Sequence, residues 1–144
     1  MIAGVTAACI AAAAATFQVS EPALKLVMRT EGGRIGVCTT QKTGVHDCGP
    51  AQINAEIWTP YFAQLLKRPI PEIFYAIRDN GCFNVNAAAY ILRLKIQRAD
   101  GNVWDGMGRY NSATPAIKHA YQKRLLDTYL TLTKSKNREA TASR

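Results

Sequence analysis

The chain reads as one mainly helical domain with a small loop or β-ribbon region after its second helix, and three observations carry that reading. Capped, amphipathic stretches recur along the chain, above all Glu21–Glu31 and Asn84–Gln97. Between them lies Ile35–Gly49, rich in Gly, Thr and polar residues, as in a loop or short ribbon. With 144 residues, 48% of them hydrophobic, there is material for one core and little margin.

Taken in order, the N-terminal run Ile2–Ala15 admits two readings. It has the apolar character of a secretory leader, with small residues at Ala13 and Ala15, but no Lys or Arg precedes it. The missing basic segment favours a first helix over Ala3–Phe17, where alanine prefers helix and packs closely; a leader would then lie upstream. The run is too short and too weakly apolar for a membrane span. Ser20 is an N-cap with Glu21 and Pro22 in the first turn, so a second helix runs to Arg29 or Glu31. Leu24, Val27 and Met28 share one face, and Gly32-Gly33 ends the helix. Glu31 therefore stands in a last turn, where a carboxylate opposes the helix dipole. Helix stability alone does not explain it.

Pro50–Trp58 is a short ordered segment, Thr59-Pro60 begins a helix through about Lys67, and Pro71 begins another through about Arg78. Asn80-Gly81 is a turn. Asn84–Gln97 buries Val85, Ala88, Ala89, Leu92 and Ile96, and Asp100-Gly101 closes it. A short helix covers Asn102–Arg109 and a last one Thr114–Leu132. Residues 1–132 form the domain, and residues 133–144 form a basic, disordered tail, because Lys134–Arg144 lacks apolar anchors.

The formal charge is +8 and unevenly placed: Lys118–Arg144 holds seven basic and two acidic residues, +5, which leaves +3 for the rest. That balance favours polyanionic partners, whether nucleic acid, anionic lipid or an acidic wall polymer, without choosing among them. Four cysteines, Cys9, Cys38, Cys48 and Cys82, are compatible with two disulfides and an oxidising compartment. No pair has CxxC spacing, and His46 and His119 add no metal pattern, so disulfides are favoured over zinc and no metal is expected. A Cys38–Cys48 bridge would pin a short loop.

Three clusters can carry chemistry. Glu31 ends an apolar helix beside a Gly-Gly break, and burial there would raise its pKa and make it a proton donor near neutral pH. Taken alone, a surface glutamate at a frayed end is the commoner reading. In Gly49-Pro50-Ala51-Gln52-Ile53-Asn54, two amides at spacing two suit a polar neutral ligand such as a sugar, or equally the capping of turns. Tyr110-Asn111-Ser112 offers a hydroxyl that could orient a carboxyl group or a sugar, a weak signal by itself.

Together these clusters resemble the lytic transglycosylase (SLT) domain family, over about Cys9 to Tyr129. The family's Glu at a helix end matches Glu31, and its Gly-Leu-Met-Gln-Ile motif looks like Gly49-Pro50-Ala51-Gln52-Ile53 followed by Asn54. Its Cys-x-Asn-Val/Ile-x-x-Ala-Ala/Trp-x-Ile-Leu helix resembles Cys82, Asn84, Val85, Ala88, Ala89, Ile91 and Leu92, and its Tyr-Asn-Ser/Gly matches Tyr110-Asn111-Ser112. The likeness is closest to the small members that accompany secretion, conjugation or pilus machines.

The resemblance implies a lysozyme-like fold, shared with goose-type lysozyme, and cleavage of peptidoglycan glycan strands by Glu31 as single acid and base. Gln52, Asn54, Tyr110, Asn111 and Gly49 would bind substrate. It also implies a Cys9–Cys82 bridge, which leaves Cys38 with Cys48. An exported or periplasmic monomer is expected, without cofactor or nucleic acid, acting beside an envelope-spanning assembly. The sequence departs from the pattern twice: Gly32 replaces the serine that often follows the acid, and Pro50-Ala51 replaces Leu-Met. A hydrolytic lysozyme would need a second carboxylate. Asp47 is its best candidate and Glu56 the next, although Asp47 reads better as a structural residue packed beside Cys48.

Overall fold

Short polar residues begin the helices where the sequence offers them. In the computed structural model, which describes residues 4–144, the Thr6 side chain accepts from the Cys9 amide and starts α1 (Ala7–Phe17). The expected start at Ala3 lies outside the described residues. Ser20 accepts from the Ala23 amide to start α2 (Glu21–Glu31), and Gly32 ends that helix in the left-handed conformation, φ 64°.

A three-stranded antiparallel ribbon follows: β1 (Cys38–Thr40), β2 (His46–Cys48) and β3 (Ile53–Asn54), in that spatial order. Cys38 lies opposite Cys48, and Asp47 opposite Asn54. The rest is helical: α3 (Ala55–Leu66), α4 (Ile70–Asp79), α5 (Gly81–Arg98), α6 (Val103–Asn111) and α7 (Pro115–Ala142). The mainly helical class with a small ribbon after α2 is as expected. Among the described residues no helix is long and apolar enough to cross a membrane.

Three boundaries differ from expectation. Helix α3 begins at Ala55, because Asn54 caps it by accepting the Ile57 amide, and Pro60 falls inside the helix. Asn80 both ends α4 and caps α5, so α5 starts at Gly81. The largest correction is the C-terminus: residues 133–144 are not a disordered tail, since α7 continues to Ala142. Lys, Arg, Glu and Ala in this stretch are good helix formers, and Thr133 and Thr141 hydroxyls donate to carbonyls one turn back. No residue of α7 beyond Leu125 is fully buried, so the last turns rest on propensity and not on packing.

The core is organised around α5. Ala87, Ala88 and Ala89 are buried at its middle, and the buried Ala13 and Ala14 of α1 face the same core. All four cysteines are paired, Cys9 with Cys82 and Cys38 with Cys48. The first bridge ties α1 to the start of α5; the second joins facing residues of the ribbon.

One buried polar side chain links core to ribbon. Asn84 of α5 is fully buried; its Nδ2 donates to the carbonyls of Cys48 (3.0 Å) and Ile77 (2.9 Å). Its Oδ1 accepts from the Ala51 amide (2.8 Å). Gly49 packs against this amide with φ 73°, and any side chain there would collide with it. Asn84→Ala is expected to lose about 2–3 kcal/mol of stability, because it strands three buried backbone groups. Urea denaturation checks this.

Candidate active site

The elements converge on a cleft of about 340 Å³ between the end of α2, the ribbon and α6. Its walls include Glu31, Asp47, Gln52, Asn54, Trp58, Tyr110 and Asn111. Five of the residues expected from sequence therefore share one cavity. Gly49 does not: it is buried below the 49–52 turn, where its carbonyl accepts from the Gln52 amide and side chain. In this structure it shapes the turn behind the cleft wall.

Glu31 is carried on the last turn of α2, and the chain beyond it is fastened down by Gly33, whose amide donates to the Pro50 carbonyl (3.1 Å). Burial pushes its pKa up to about 7, and the nearby Asp47 carboxylate adds to that. The Tyr121 hydroxyl and the Arg124 guanidinium oppose the shift without cancelling it. Glu31 is thus a carboxyl that holds its proton close to neutrality, the property required of a general acid.

Two of the supporting groups come from α7. Tyr121 is 1% exposed, and Arg124 lies over its ring at 5.4 Å while donating to the Thr30 carbonyl (3.4 Å). The Tyr121 hydroxyl acts electrostatically on Glu31, yet falls short of full hydrogen-bond geometry with any described residue. Neither residue was singled out from the sequence. The signal was available: Tyr121 and Leu125 are one turn apart on the buried stripe of α7, and a tyrosine among Lys, Gln and Arg is out of place on a solvated helix. Tyr121→Phe is expected to move the Glu31 pKa further up, shifting the alkaline limb of any Glu31-dependent pH profile to higher pH.

The two amides are partly spent on the backbone. Gln52 has a left-handed backbone, φ 50°, which is rare outside glycine and strained. Its Nε2 holds that conformation by donating to the carbonyls of Asp47 (3.2 Å) and Gly49 (3.1 Å). Asn54 spends its Oδ1 on capping α3. Each amide therefore combines a turn-capping role with a place in the cleft wall, and keeps one polar end, Gln52 Oε1 or Asn54 Nδ2, unbonded among the described residues.

The Tyr110 hydroxyl donates to the Ala51 carbonyl (2.9 Å), locking α6 to the same turn. Burial, then the charges of Glu31 and Asp47, hold its pKa well above the ordinary value, so it stays a neutral donor.

Asp47, next to Cys48 in β2, is half-buried with Gln41 hydrogen-bonded to it, and it also lines the cleft; burial raises its pKa. Glu56, the other candidate second carboxylate, is outside the cleft and binds the His46 amide (2.9 Å) and ring (2.5 Å). A shallower groove of about 430 Å³ between α3 and α4 has a mostly apolar lining and no such convergence of polar groups. No protein-family model matches the chain, and no curated protein matches it either.

Proposed function

We propose that this chain is a peptidoglycan lytic transglycosylase with a lysozyme-like fold, cleaving the β-1,4 bond between N-acetylmuramic acid and N-acetylglucosamine. The observation that carries the reading is the Glu31 carboxyl, raised to about 7 in a cleft that also holds Gln52, Asn54, Tyr110 and Asn111. Glu31 gives its proton to the glycosidic oxygen as the bond to C1 breaks. The resulting carboxylate takes the proton of the muramic C6 hydroxyl, whose oxygen attacks C1 and closes a 1,6-anhydro ring. Glu31 ends as it began, and no water is consumed. The free ends of Gln52 and Asn54 hold the sugar, and Tyr110 keeps their turn in register.

Two disulfides accord with an exported protein. A small enzyme of this kind would open local gaps in the wall for a secretion, conjugation or pilus assembly. The deciding experiment is mass spectrometry of muropeptides released by the wild type and by Glu31→Gln. Anhydro ends from the wild type alone support the proposal. Equal failure of both proteins to cleave, with binding kept, would make the chain a wall-binding module.

Asp47 favours a second reading, a hydrolytic muramidase, because it puts another carboxylate in the same cleft. Reducing ends among the products, lost in Asp47→Asn, would establish that reading over the first.

A further inference from the structure

Helix α7 outlasts the body it packs on. Tyr121 and Leu125 are its buried residues, yet it continues to Ala142. At about 1.5 Å per residue, the stretch beyond Leu125 is roughly 25 Å long. An uncharged stripe runs along the outer side of that stretch. Leu126, Tyr129 and Leu130 head it, 48%, 54% and 46% exposed, and Thr133, Asn137 and Thr141 continue it at steps of four. Leucine and tyrosine held in water at this spacing mark a surface that something covers. Lys134, four residues after Leu130, borders the stripe on one edge, and Lys136, seven after Tyr129, borders it on the other. The acidic residues of the stretch, Asp127 and Glu139, fall outside those borders.

We infer that this stripe of α7 docks on an anionic lipid bilayer, with the helix lying along the surface. The excess of positive charge from Lys118 onward suits any polyanion, and the stripe decides among them. Duplex nucleic acid and acidic wall polymers present charge without an apolar phase, so they would leave Leu126, Tyr129 and Leu130 in water. A second copy of this chain would cover the leucines but would set the same lysines against one another. A bilayer supplies an apolar layer beneath a continuous anionic plane. The leucines enter that layer, and tyrosine, an apolar ring with a polar tip, suits its boundary. Each bordering lysine lays its methylene stem on the apolar side and sets its ammonium among the headgroups. A plane meets both borders at once. Among the described residues no helix is long and apolar enough to cross a membrane, so the contact proposed is a surface one. It owes nothing to the chemistry of the cleft and stands whether or not Glu31 cleaves glycan.

The test is co-sedimentation of the full chain with vesicles of one part phosphatidylglycerol to two parts phosphatidylcholine, against vesicles of phosphatidylcholine alone. At physiological salt the chain is expected to bind the first and not the second, and high salt should release it. Leu126→Gln/Leu130→Gln should weaken binding roughly tenfold by removing the apolar half of the contact. Lys134→Gln/Lys136→Gln should weaken it by a similar factor, at roughly fivefold or less for each lysine. Leu126→Met/Leu130→Met should bind as the wild type does, since apolar character is kept. All these side chains are exposed, so the thermal melts of the three variants should superimpose on that of the wild type. Failure of the wild type to bind the anionic vesicles overturns the inference. So does a Leu126→Gln/Leu130→Gln variant that binds as tightly as the wild type, or complete displacement by an equal charge of soluble polyglutamate. Either result would reduce the stripe to a bystander of a purely electrostatic surface, open to acidic proteins or nucleic acid alike.

Discussion

Under the transglycosylase reading proposed above, Glu31→Gln is expected to bind glycan and cleave it roughly 10²–10⁴-fold more slowly than the wild type, the usual contribution of a positioned general acid. The wild-type rate should also fall as pH rises through about 7, because the raised pKa defines where the proton to be donated is lost. The same shift acts on stability, with a definite sign. Between the ordinary glutamate value and about pH 7, the folded chain binds a proton at Glu31 that the unfolded chain has released. Folding stability from this group is therefore full at low pH and is lost as pH rises through that window. Glutamine does not titrate, so the variant should gain up to about 3 kcal/mol over the wild type between pH 4 and pH 8. Denaturant melts at the two pH values measure it; a pH-independent difference would mean that Glu31 is not held protonated by burial.

Replacing Cys9 and Cys82 together by alanine should lower stability by about 4 kcal/mol, since their bridge closes a 73-residue separation and restrains the unfolded chain accordingly. The 10-residue separation of Cys38 and Cys48 predicts a smaller loss, about 3 kcal/mol. The functional consequences should rank the other way. The long bridge joins α1 to α5, away from the cleft, whereas the short one holds the ribbon that carries Asp47. At a temperature where both variants remain folded, the ribbon variant should lose more activity. Parallel melts and turnover assays separate the two effects.

Local signals made much of the architecture legible. The Ser20 cap and Gly32 stop bounded α2 and so put Glu31 at its end, and the apolar spacing of α5 was equally readable. The even cysteine count pointed to disulfides, while the Cys9–Cys82 pairing came only from the family resemblance. What failed was competition between local signals. Pro60 looked like a first-turn proline, but the Asn54 cap acts six residues earlier and the helix tolerates Pro60 inside. The C-terminal stretch lacked apolar anchors, yet helix propensity continued α7 without them.

The candidate site was legible where one segment supplies it, as with Gln52 and Asn54. It was hidden where distant segments meet. Asp47 faces the cleft because of the register that pairs it with Asn54, and a slip of one residue would turn it away. Tyr121 matters only because α7 returns to the end of α2, a long-range packing that no local pattern encodes.

Both backbone polar groups of Ala51 are held, its N–H by Asn84 and its carbonyl by Tyr110. Its amide hydrogen is buried and bonded to a core side chain, so its exchange with solvent is expected to be slow and to require the turn to part from α5. The turn that carries Gln52 into the cleft wall is thus expected among the slower-exchanging parts of the molecule, and a ligand there would meet a rigid wall. On the glycan reading proposed above, distortion on binding would then fall on the sugar and not on the protein, and selectivity would be a matter of which rings can bend to fit.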